Sequence, residues 1–351
     1  MPGVAEQREG QPPPAPCGPP PGRKAGGSPL GDRIVTLRNG IRTPARKAVR
    51  ALPDGLYLRL RFLLVMKRIP HLRNPRTFSE VIQWLKLHGD LARYAPYADK
   101  YQVRQYVART IGSQYLIPLI GVWDEFDQIP WDDLPQQFVL KATHGCGDNF
   151  VCRDKSAADP AQVRQAVTKW MSANFYYEHR ESQYRNIVPR LIAEAYLEDD
   201  SGDLRDYKFS CFDGVPFLLE VMSNRGPGLT VNLYDPQWNL LPVNSRGHSN
   251  SLKPPTRPAL FDDMLDAVAK LSAQFPLVRV DLYYVAEKIY FGELTFTPAN
   301  GFITYEPKSF NQELRRVLDL SKLTVGPQQV SHPIRAKLSL GQIKSLARAR
   351  R

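Results

Sequence analysis

The residues of this chain that could do chemistry begin with a lysine and a glycine-rich turn. Lys141 ends the apolar run Phe-Val-Leu at residues 138–140, and the turn Thr-His-Gly-Cys-Gly-Asp-Asn follows at residues 143–149. Gly145 and Gly147 allow backbone N–H groups to approach an anion closely, as in a phosphate-binding nest. This pattern predicts a phosphate site. The alternatives are a lysine that extends from a strand edge to water and an ordinary hairpin turn.

A second lysine could contribute to the same site. Lys208 lies in the alternating run of residues 206–212, where a strand would place it on the polar face, opposite the aromatic residues. From there it could bind the same polyphosphate as Lys141, unless it only extends to solvent. Asp148 would repel a phosphate in the glycine turn unless it points outward. We interpret His144 as a hydrogen-bonding turn residue and not as a catalytic base.

Two carboxylates lie among apolar residues closer to the C-terminus. Asp281 belongs to the run Val-Arg-Val-Asp-Leu-Tyr and Glu293 to the run Phe-Gly-Glu-Leu-Thr-Phe, and both runs are predicted arms of one hairpin over residues 277–298. Burying an acid is unfavourable unless a cation neutralises it. Two facing carboxylates beside a triphosphate would bind Mg²⁺ or Mn²⁺, which prefer oxygen ligands. The alternative is an ion pair with a nearby arginine such as Arg279.

The elements that must position these residues are helices mixed with antiparallel hairpins. Periodicity and capping predict helices that begin after Thr77 or Ser79 and after Asp159, and two more within residues 97–112 and 258–275. Strands are predicted within residues 115–129, 137–143, 190–199, 206–224, 229–236, 238–241 and 277–298, with hairpin turns at Asp213-Gly214 and near Ala286-Glu287. Because strands and helices do not alternate strictly, the predicted fold class is α+β.

The positive charge of the chain is concentrated at its two ends. The net charge is +12, yet residues 1–70 hold 13 basic and 4 acidic side chains, and residues 332–351 hold 6 basic and no acidic ones. The segment between them is close to neutral, which argues against a nucleic-acid-binding core. The basic ends could instead contact phosphate, an acidic polymer or an anionic membrane face.

The N-terminal segment predicts a chain without a secretory signal. Residues 1–32 are rich in proline and glycine and lack an apolar run, so we predict disorder there. Residues 33–70 form a basic lead-in, with an amphipathic helix over residues 56–67 that is too short to span a bilayer; membrane-surface docking through its arginines is an alternative. The four cysteines show no metal-binding spacing. These features favour a reduced, cytoplasmic protein, which could lie at the inner face of the membrane.

Common nucleotide and nucleophile motifs are missing from the sequence. It contains no Gly-x-x-x-x-Gly-Lys-Ser/Thr loop, no Gly-x-Gly-x-x-Gly between a strand and a helix, and no Gly-x-Ser-x-Gly elbow. The order and spacing of other segments nevertheless resemble the TupA-like branch of the ATP-grasp superfamily over about residues 71–320. The segments that carry this resemblance are NPRTFSEVIQWLKL, ADKYQVRQYV, YLIPLIGVWDEFDQI, FVLKATHGCGDN, AEAYLED, DYKFSCFDG and RVDLYYVAEKIYFGELTFTP.

This resemblance implies an ATP-grasp domain over residues 71–331, in which two α+β subdomains clasp ATP. It also implies a role for each candidate residue. The phosphate contacts would be Lys100, Lys141, Lys208 and the glycine loop from Gly145 through Gly147 to Asn149. The adenine and ribose contacts would be Glu194, the backbone around Tyr196 and Leu197, and Glu198 or Asp199.

The same resemblance implies a metal site and a catalytic arginine. Asp281, Glu293 and Thr295 would hold Mg²⁺ or Mn²⁺, and Arg279, together with Lys208, would act on the transferred phosphoryl group or the acyl substrate. Two positions depart from the pattern of the superfamily. Thr295 stands where an asparagine is common, as a variation of this branch, and Asp148 replaces a more usual glycine of the phosphate loop.

The implied activity is that of an ATP-dependent carboxylate–amine ligase. ATP would phosphorylate a carboxylate, and an amine would attack the acyl phosphate to form an amide, so no covalent nucleophile is needed. The substrates could be an amino acid and a uronic acid or sugar polymer, in cell-envelope polymer synthesis, the role of the protein after which the branch is named. Two alternatives are a metal-dependent glycosyltransferase and a non-catalytic protein that binds ATP or a polymer.

Overall fold

The computed structural model describes residues 50–200, 202, 204–224 and 228–324. The predicted disordered segment of residues 1–32, the lead-in up to residue 49 and the basic tail of residues 332–351 lie outside this part of the chain. Within it, helices and antiparallel sheets are combined, which confirms the α+β prediction. None of the helices described there is long and apolar enough to cross a membrane.

Most predicted elements are present. The α-helices are α1 (Asp54–Met66), α2 (Phe78–His88), α3 (Ala95–Ala98), α4 (Val103–Thr110), α5 (Pro160–Met171), α6 (Phe175–His179), α7 (Phe261–Ser272) and α8 (Phe310–Arg316). The β-strands are β1 (Leu119–Trp123), β2 (Phe138–Ala142), β3 (Asn149–Cys152), β4 (Leu191–Ala195), β5 (Asp206–Phe212), β6 (Val215–Ser223), β7 (Thr230–Tyr234), β8 (Asn244–Ser245), β9 (Leu277–Val285), β10 (Lys288–Thr295) and β11 (Tyr305–Glu306).

The predicted helix caps are confirmed, whereas two element boundaries were wrong. The side chain of Thr77 accepts a hydrogen bond from the backbone of Glu80, and Asp159 caps α5 in the same way. The helix predicted over residues 97–112 is interrupted by a turn and splits into α3 and α4. The strand predicted over residues 238–241 is reduced to a single bridge at Leu240, because the chain turns back tightly there.

The smaller of the two main sheets contains four antiparallel strands in the order β1-β4-β2-β3. One of its faces is apolar: Phe138 and Leu140 pack with Val163 and Val167 of α5. Since side chains alternate across a strand, Lys141 points to the opposite face. That face is turned towards the second sheet.

The larger sheet has the order β10-β9-β5-β6-β7, and its two predicted hairpin turns are confirmed. One face forms the main core, in which Phe209 and Val280 pack with Met264, Val268 and Leu271 of α7. The opposite face carries a row of charged residues that stand in direct register on four neighbouring strands. From β6 to β10, these are Glu220, Lys208, Asp281 and Glu293.

Helix α1 rests on the rest of the protein through one face. Leu58 and Phe62 are fully buried, and the hydroxyl of Tyr57 donates a hydrogen bond to the carbonyl of Glu178 (2.6 Å). The outer face differs from the predicted polar surface of an amphipathic helix, because leucines are exposed along it. The helix is therefore apolar on both sides.

Candidate active site

A cavity of about 90 Å³ lies between the two sheets. The smaller sheet lines one wall, the larger sheet lines the other, and the segment around α4 closes one side. The lining residues are Lys100, Arg104, Leu116, Lys141, Asn149, Glu194, Tyr283, Phe291 and Gly292. The structure thus brings Lys141 and Asn149 together with the strands that carry Asp281 and Glu293, although these two carboxylates are not among the lining residues.

Three charged groups meet on the wall formed by the smaller sheet. Lys141 Nζ lies 2.6 Å from Glu194 Oε2, and Arg104 Nη1 lies 2.6 Å from Glu194 Oε1. Glu194 stands opposite Val139 on the neighbouring strand, which places it diagonal to Lys141 on the same face. Arg104 was not among the site residues predicted from the sequence. Its position one helical turn after Lys100 was the available signal.

Lys100, which lines the cavity, forms two hydrogen bonds with the glycine turn. Its ammonium group donates a hydrogen bond to the carbonyl of Gly145, and its backbone N–H donates one to the carbonyl of Thr143 (3.1 Å). Lys100 lies in the turn before α4. A Cβ at Gly145 would lie 2.3 Å from the ring of Phe175, so this glycine permits a close approach.

The remaining residues of the turn have separate environments. Gly147 has φ +78°, which favours glycine. His144 is buried, its Nε2 lies 3.1 Å from the carbonyl oxygen of Trp170, and burial lowers the pKa of its imidazole. Cys146 is exposed at the surface. Desolvation by the surrounding protein, together with the negative charge of Glu293, nevertheless raises the pKa of its thiol to about 11.

Asp281 is the centre of an ion-pair cluster on the larger sheet. Arg279 contacts both carboxylate oxygens, with Nε 2.6 Å from Oδ1 and Nη2 2.7 Å from Oδ2, and Lys208 Nζ lies 2.6 Å from Oδ2. Burial alone would raise the pKa of Asp281, but these two cations lower it. Arg279 also donates a hydrogen bond to the hydroxyl of Thr295 (3.0 Å). The arginine pairing considered as an alternative is the arrangement that Asp281 adopts.

The predicted metal ligands are therefore not arranged as a preformed metal-binding site. Asp281 and Thr295 bind Arg279, whereas the half-buried carboxylate of Glu293 forms no hydrogen bond or ion pair with any residue that the structure describes. Over the described ranges, no group of three or more His, Cys, Asp or Glu residues could hold a metal ion. Enzymes commonly bind Mg²⁺ through one or two carboxylates plus substrate phosphates. Glu293 fits this mode of binding.

A sequence model of one known family matches residues 80–318 of the chain, and its description is TupA-like ATP-grasp. The chain belongs to the TupA-like ATP-grasp family. This membership confirms the resemblance and the ATP-grasp fold that the sequence analysis predicted, and it supports the predicted ligase class. No curated protein matches the sequence.

Several solved structures are similar to the chain at low identity. D-alanine–D-alanine ligase from Bacillus anthracis complexed with ATP is 13% identical, with a TM-score of 0.34 over 57% of this chain and 55% of that one. A second structure of D-alanine–D-alanine ligase from Bacillus anthracis is 15% identical, with a TM-score of 0.40 over 69% and 72%. D-cycloserine synthetase is 17% identical, with a TM-score of 0.32 over 59% and 68%. The chain spans about half the length of the first.

The predicted nucleotide hinge of this family member follows strand β4. Leu197 is half-buried, and the hydroxyl of Tyr196 donates a hydrogen bond to Glu198 (2.6 Å). Burial, together with this carboxylate, raises the pKa of Tyr196 to about 12. Glu198 is exposed, whereas Asp199 is buried and accepts a hydrogen bond from the backbone of Arg205 (3.1 Å). The two acids proposed for the ribose thus differ in accessibility.

A buried polar cluster beyond Glu293 was not predicted from the sequence. Glu181 accepts a hydrogen bond from the hydroxyl of Thr297, which follows the strand that carries Glu293. Lys86 donates to the backbone carbonyl and the side chain of Asn300. Burial lowers the pKa of Lys86 to about 7, although the charge of Glu181 opposes this shift. The cluster anchors the chain immediately after the predicted metal-binding strand.

Proposed function

We propose that this protein is an ATP-dependent ligase that joins a carboxylate to an amine through an acyl phosphate. The observation that supports this most directly is the meeting of two walls around one cavity. Lys141, Arg104 and Lys100 line it from one side, and the strands of Arg279, Asp281 and Glu293 form the other. Cations from separate segments that line one cavity suit a polyphosphate, and carboxylates on the adjoining strands could hold its divalent cation.

In this proposal, the phosphates of ATP compete with Glu194 for Lys141 and Arg104. The cavity of about 90 Å³ is smaller than ordinary ligand sites, which measure about 300 to 1,000 Å³. In this proposal, the two sheets separate when the nucleotide binds. Lys100, which holds the carbonyl of Gly145, would then carry the glycine turn with it, so that Gly147 and Asn149 cover the terminal phosphates.

The adenine would lie against Glu194 and the backbone of Tyr196 and Leu197. When Lys141 and Arg104 turn to the phosphates, the carboxylate of Glu194 becomes free to accept a hydrogen bond from the base. Of the two acids proposed for the ribose, exposed Glu198 suits this role better than Asp199, which Arg205 already binds.

The protein would act on the reaction mainly through position and charge. Arg279 and Lys208 are the closest cations to Asp281, and both could stabilise negative charge on the transferred phosphoryl group or on the acyl substrate. Glu293 would hold Mg²⁺ or Mn²⁺ together with the phosphates, and Asp281 and Thr295 would support this site. A bound divalent ion would neutralise phosphate charge.

The substrate classes and the pathway rest on the family resemblance. We propose that an amino acid and a uronic acid or sugar polymer are joined during cell-envelope polymer synthesis, in the cytoplasm. The alternative of a glycosyltransferase needs an acidic metal motif at the end of an apolar strand. The Asp-Asp pair at residues 132–133 lies in a short 3₁₀ turn, and the pair at residues 262–263 lies at the start of α7. In the pair at residues 199–200, Asp199 is bound to Arg205.

Trapping of the acyl phosphate tests this proposal. The full-length protein is incubated with MgATP, sets of amino acids or uronic acids, and hydroxylamine, and both ADP and hydroxamate are measured. A ligase forms hydroxamate only with its own carboxylate substrate, and Lys141→Ala abolishes the product. ATP binding without ADP release under any substrate combination would support the non-catalytic alternative instead. Lys169→Ala, an exposed lysine of α5, is the matched control.

A further inference from the structure

Exposed aliphatic side chains are concentrated on the outer face of helix α1. Leu56, Leu60, Leu63 and Leu64 are 45%, 45%, 42% and 65% exposed. Their spacing of four, three and one residues places them on one helical face. Because a scattered surface leucine is ordinary but a contiguous exposed patch is not, this face requires a partner.

The helix holds this leucine face in a fixed orientation. Leu58 and Phe62 on the opposite face are fully buried, and the ring of Phe62 lies 6.0 Å from that of Phe302. Arg61 donates a hydrogen bond to the carbonyl of Glu178, and Arg68, directly after the helix, forms an ion pair with Glu80. The outer leucines therefore cannot turn inward without breaking these contacts.

Basic residues accompany the leucine face. Arg59 and Lys67 are exposed, and Lys67 continues the leucine spacing at the end of the helix. The chain that leads into the helix is basic as well and has no acidic residue between positions 33 and 50; its charged residues are Arg33, Arg38, Arg42, Arg46, Lys47 and Arg50. Asp54, the acid within the helix, is bound to Arg180 on the body of the protein.

The charge decides among the partners that could cover this face. A second copy of the chain would bring another basic leucine face against it, and the preceding segment of the same chain carries charge of the same sign. Both partners would therefore add repulsion. An anionic bilayer surface offers apolar depth for the leucines and negative headgroups for Arg59 and Lys67.

We propose that the outer face of α1 docks the protein on an anionic membrane surface, with Leu56, Leu60, Leu63 and Leu64 inserted at the headgroup boundary. The surrounding basic residues contact the headgroups. This surface is separate from the proposed nucleotide cavity, so it would fix the enzyme at the membrane without taking part in the reaction. The proposal does not depend on the ligase activity.

Sedimentation with lipid vesicles tests the proposal on the full-length protein. The wild type is expected to bind vesicles that contain phosphatidylglycerol and not vesicles of phosphatidylcholine alone. The double variant Leu60→Gln/Leu64→Gln should weaken the partition at least about tenfold, because two aliphatic side chains lose their apolar contact. Leu252→Gln is the matched control, since Leu252 is fully exposed but isolated, and it should bind like the wild type.

Three results would overturn this proposal. The wild type could fail to bind anionic vesicles. The double variant could bind as well as the wild type, which would assign the interaction to the basic ends alone. Sedimentation equilibrium could show a dimer that the double variant converts to a monomer, which would assign the leucine face to a second copy. Circular dichroism of the double variant excludes unfolding as the cause of weaker binding.

Discussion

Lys141 and Glu194 form a 2.6 Å ion pair on the cavity-facing side of the smaller sheet. Arg104 binds the second oxygen of the same carboxylate, so two cations and one acid share the wall of the cavity. This arrangement pairs both of the proposed phosphate-binding cations with one carboxylate, which leaves one net positive charge on the wall. In the proposed reaction, ATP replaces Glu194 as the partner of both cations.

Replacement of Lys141 by alanine should reduce ADP release at least about 100-fold, because a preorganised cation opposite the phosphates is lost. Glu194→Gln should retain more activity than Lys141→Ala, because the lysine remains and only its partner in the absence of nucleotide changes. Steady-state ADP release, measured beside the control Lys169→Ala, compares the variants. Full activity of Lys141→Ala would contradict the role of this lysine.

Replacement of Glu293 by glutamine should reduce ADP release about 100-fold and raise the Mg²⁺ concentration needed for half-maximal activity. The reason is that Glu293, unlike Asp281, forms no hydrogen bond or ion pair with a described residue, so its carboxylate can accept a metal ion. Titration of Mg²⁺ at fixed ATP measures the effect. Glu287→Gln is the control, because this exposed acid lies in the turn of the same hairpin. An unchanged Mg²⁺ dependence in Glu293→Gln would exclude it as a ligand.

Asp281→Asn should destabilise the protein by about 3 to 5 kcal/mol at neutral pH, because buried Arg279 loses its charged partner. Urea unfolding measures this difference. The exposed pair of Arg257 and Asp262 is the control, and Asp262→Asn should change the free energy of unfolding by at most about 1 kcal/mol. Equal effects of the two substitutions would mean that the buried cluster contributes no special stability.

The ion pair of Asp281 with Arg279 also predicts that the stability of the protein depends on pH. The folded-state pKa of Asp281 lies below its value in the unfolded chain, about 3.9. Its stabilisation is therefore present above that pH and is lost as the pH falls towards the lowered pKa. The stability difference between wild type and Asp281→Asn should shrink on acidification, and an increase would contradict the ion-pair assignment.

Lys86→Met should alter the alkaline stability profile. Since burial lowers the folded-state pKa of Lys86 to about 7, the unfolded chain binds one more proton between that value and about 10.4. The stability of the wild type should therefore rise with pH relative to Lys86→Met, by about 1.4 kcal/mol per pH unit. Urea unfolding across this range tests it, with Lys270→Met, an exposed lysine, as the control. Parallel profiles would show that Lys86 stays charged.

The sequence by itself determined the local elements and the family. Capping by Thr77 and Asp159 and the alternation around Lys208 depend on neighbours within a few residues, so these predictions are confirmed. The strand expected over residues 238–241 was wrong, because an apolar run alone does not show where the chain turns back.

Only the tertiary structure decided which charges meet. Lys208 and Asp281 are 73 residues apart in sequence, Arg104 and Glu194 are 90 apart, and Lys86 reaches Asn300 across 214 residues. Such pairs are set by strand order and sheet packing, which local patterns do not encode. The same holds for the exposed leucines of α1, since periodicity shows that a helix is apolar but not which side the rest of the protein covers.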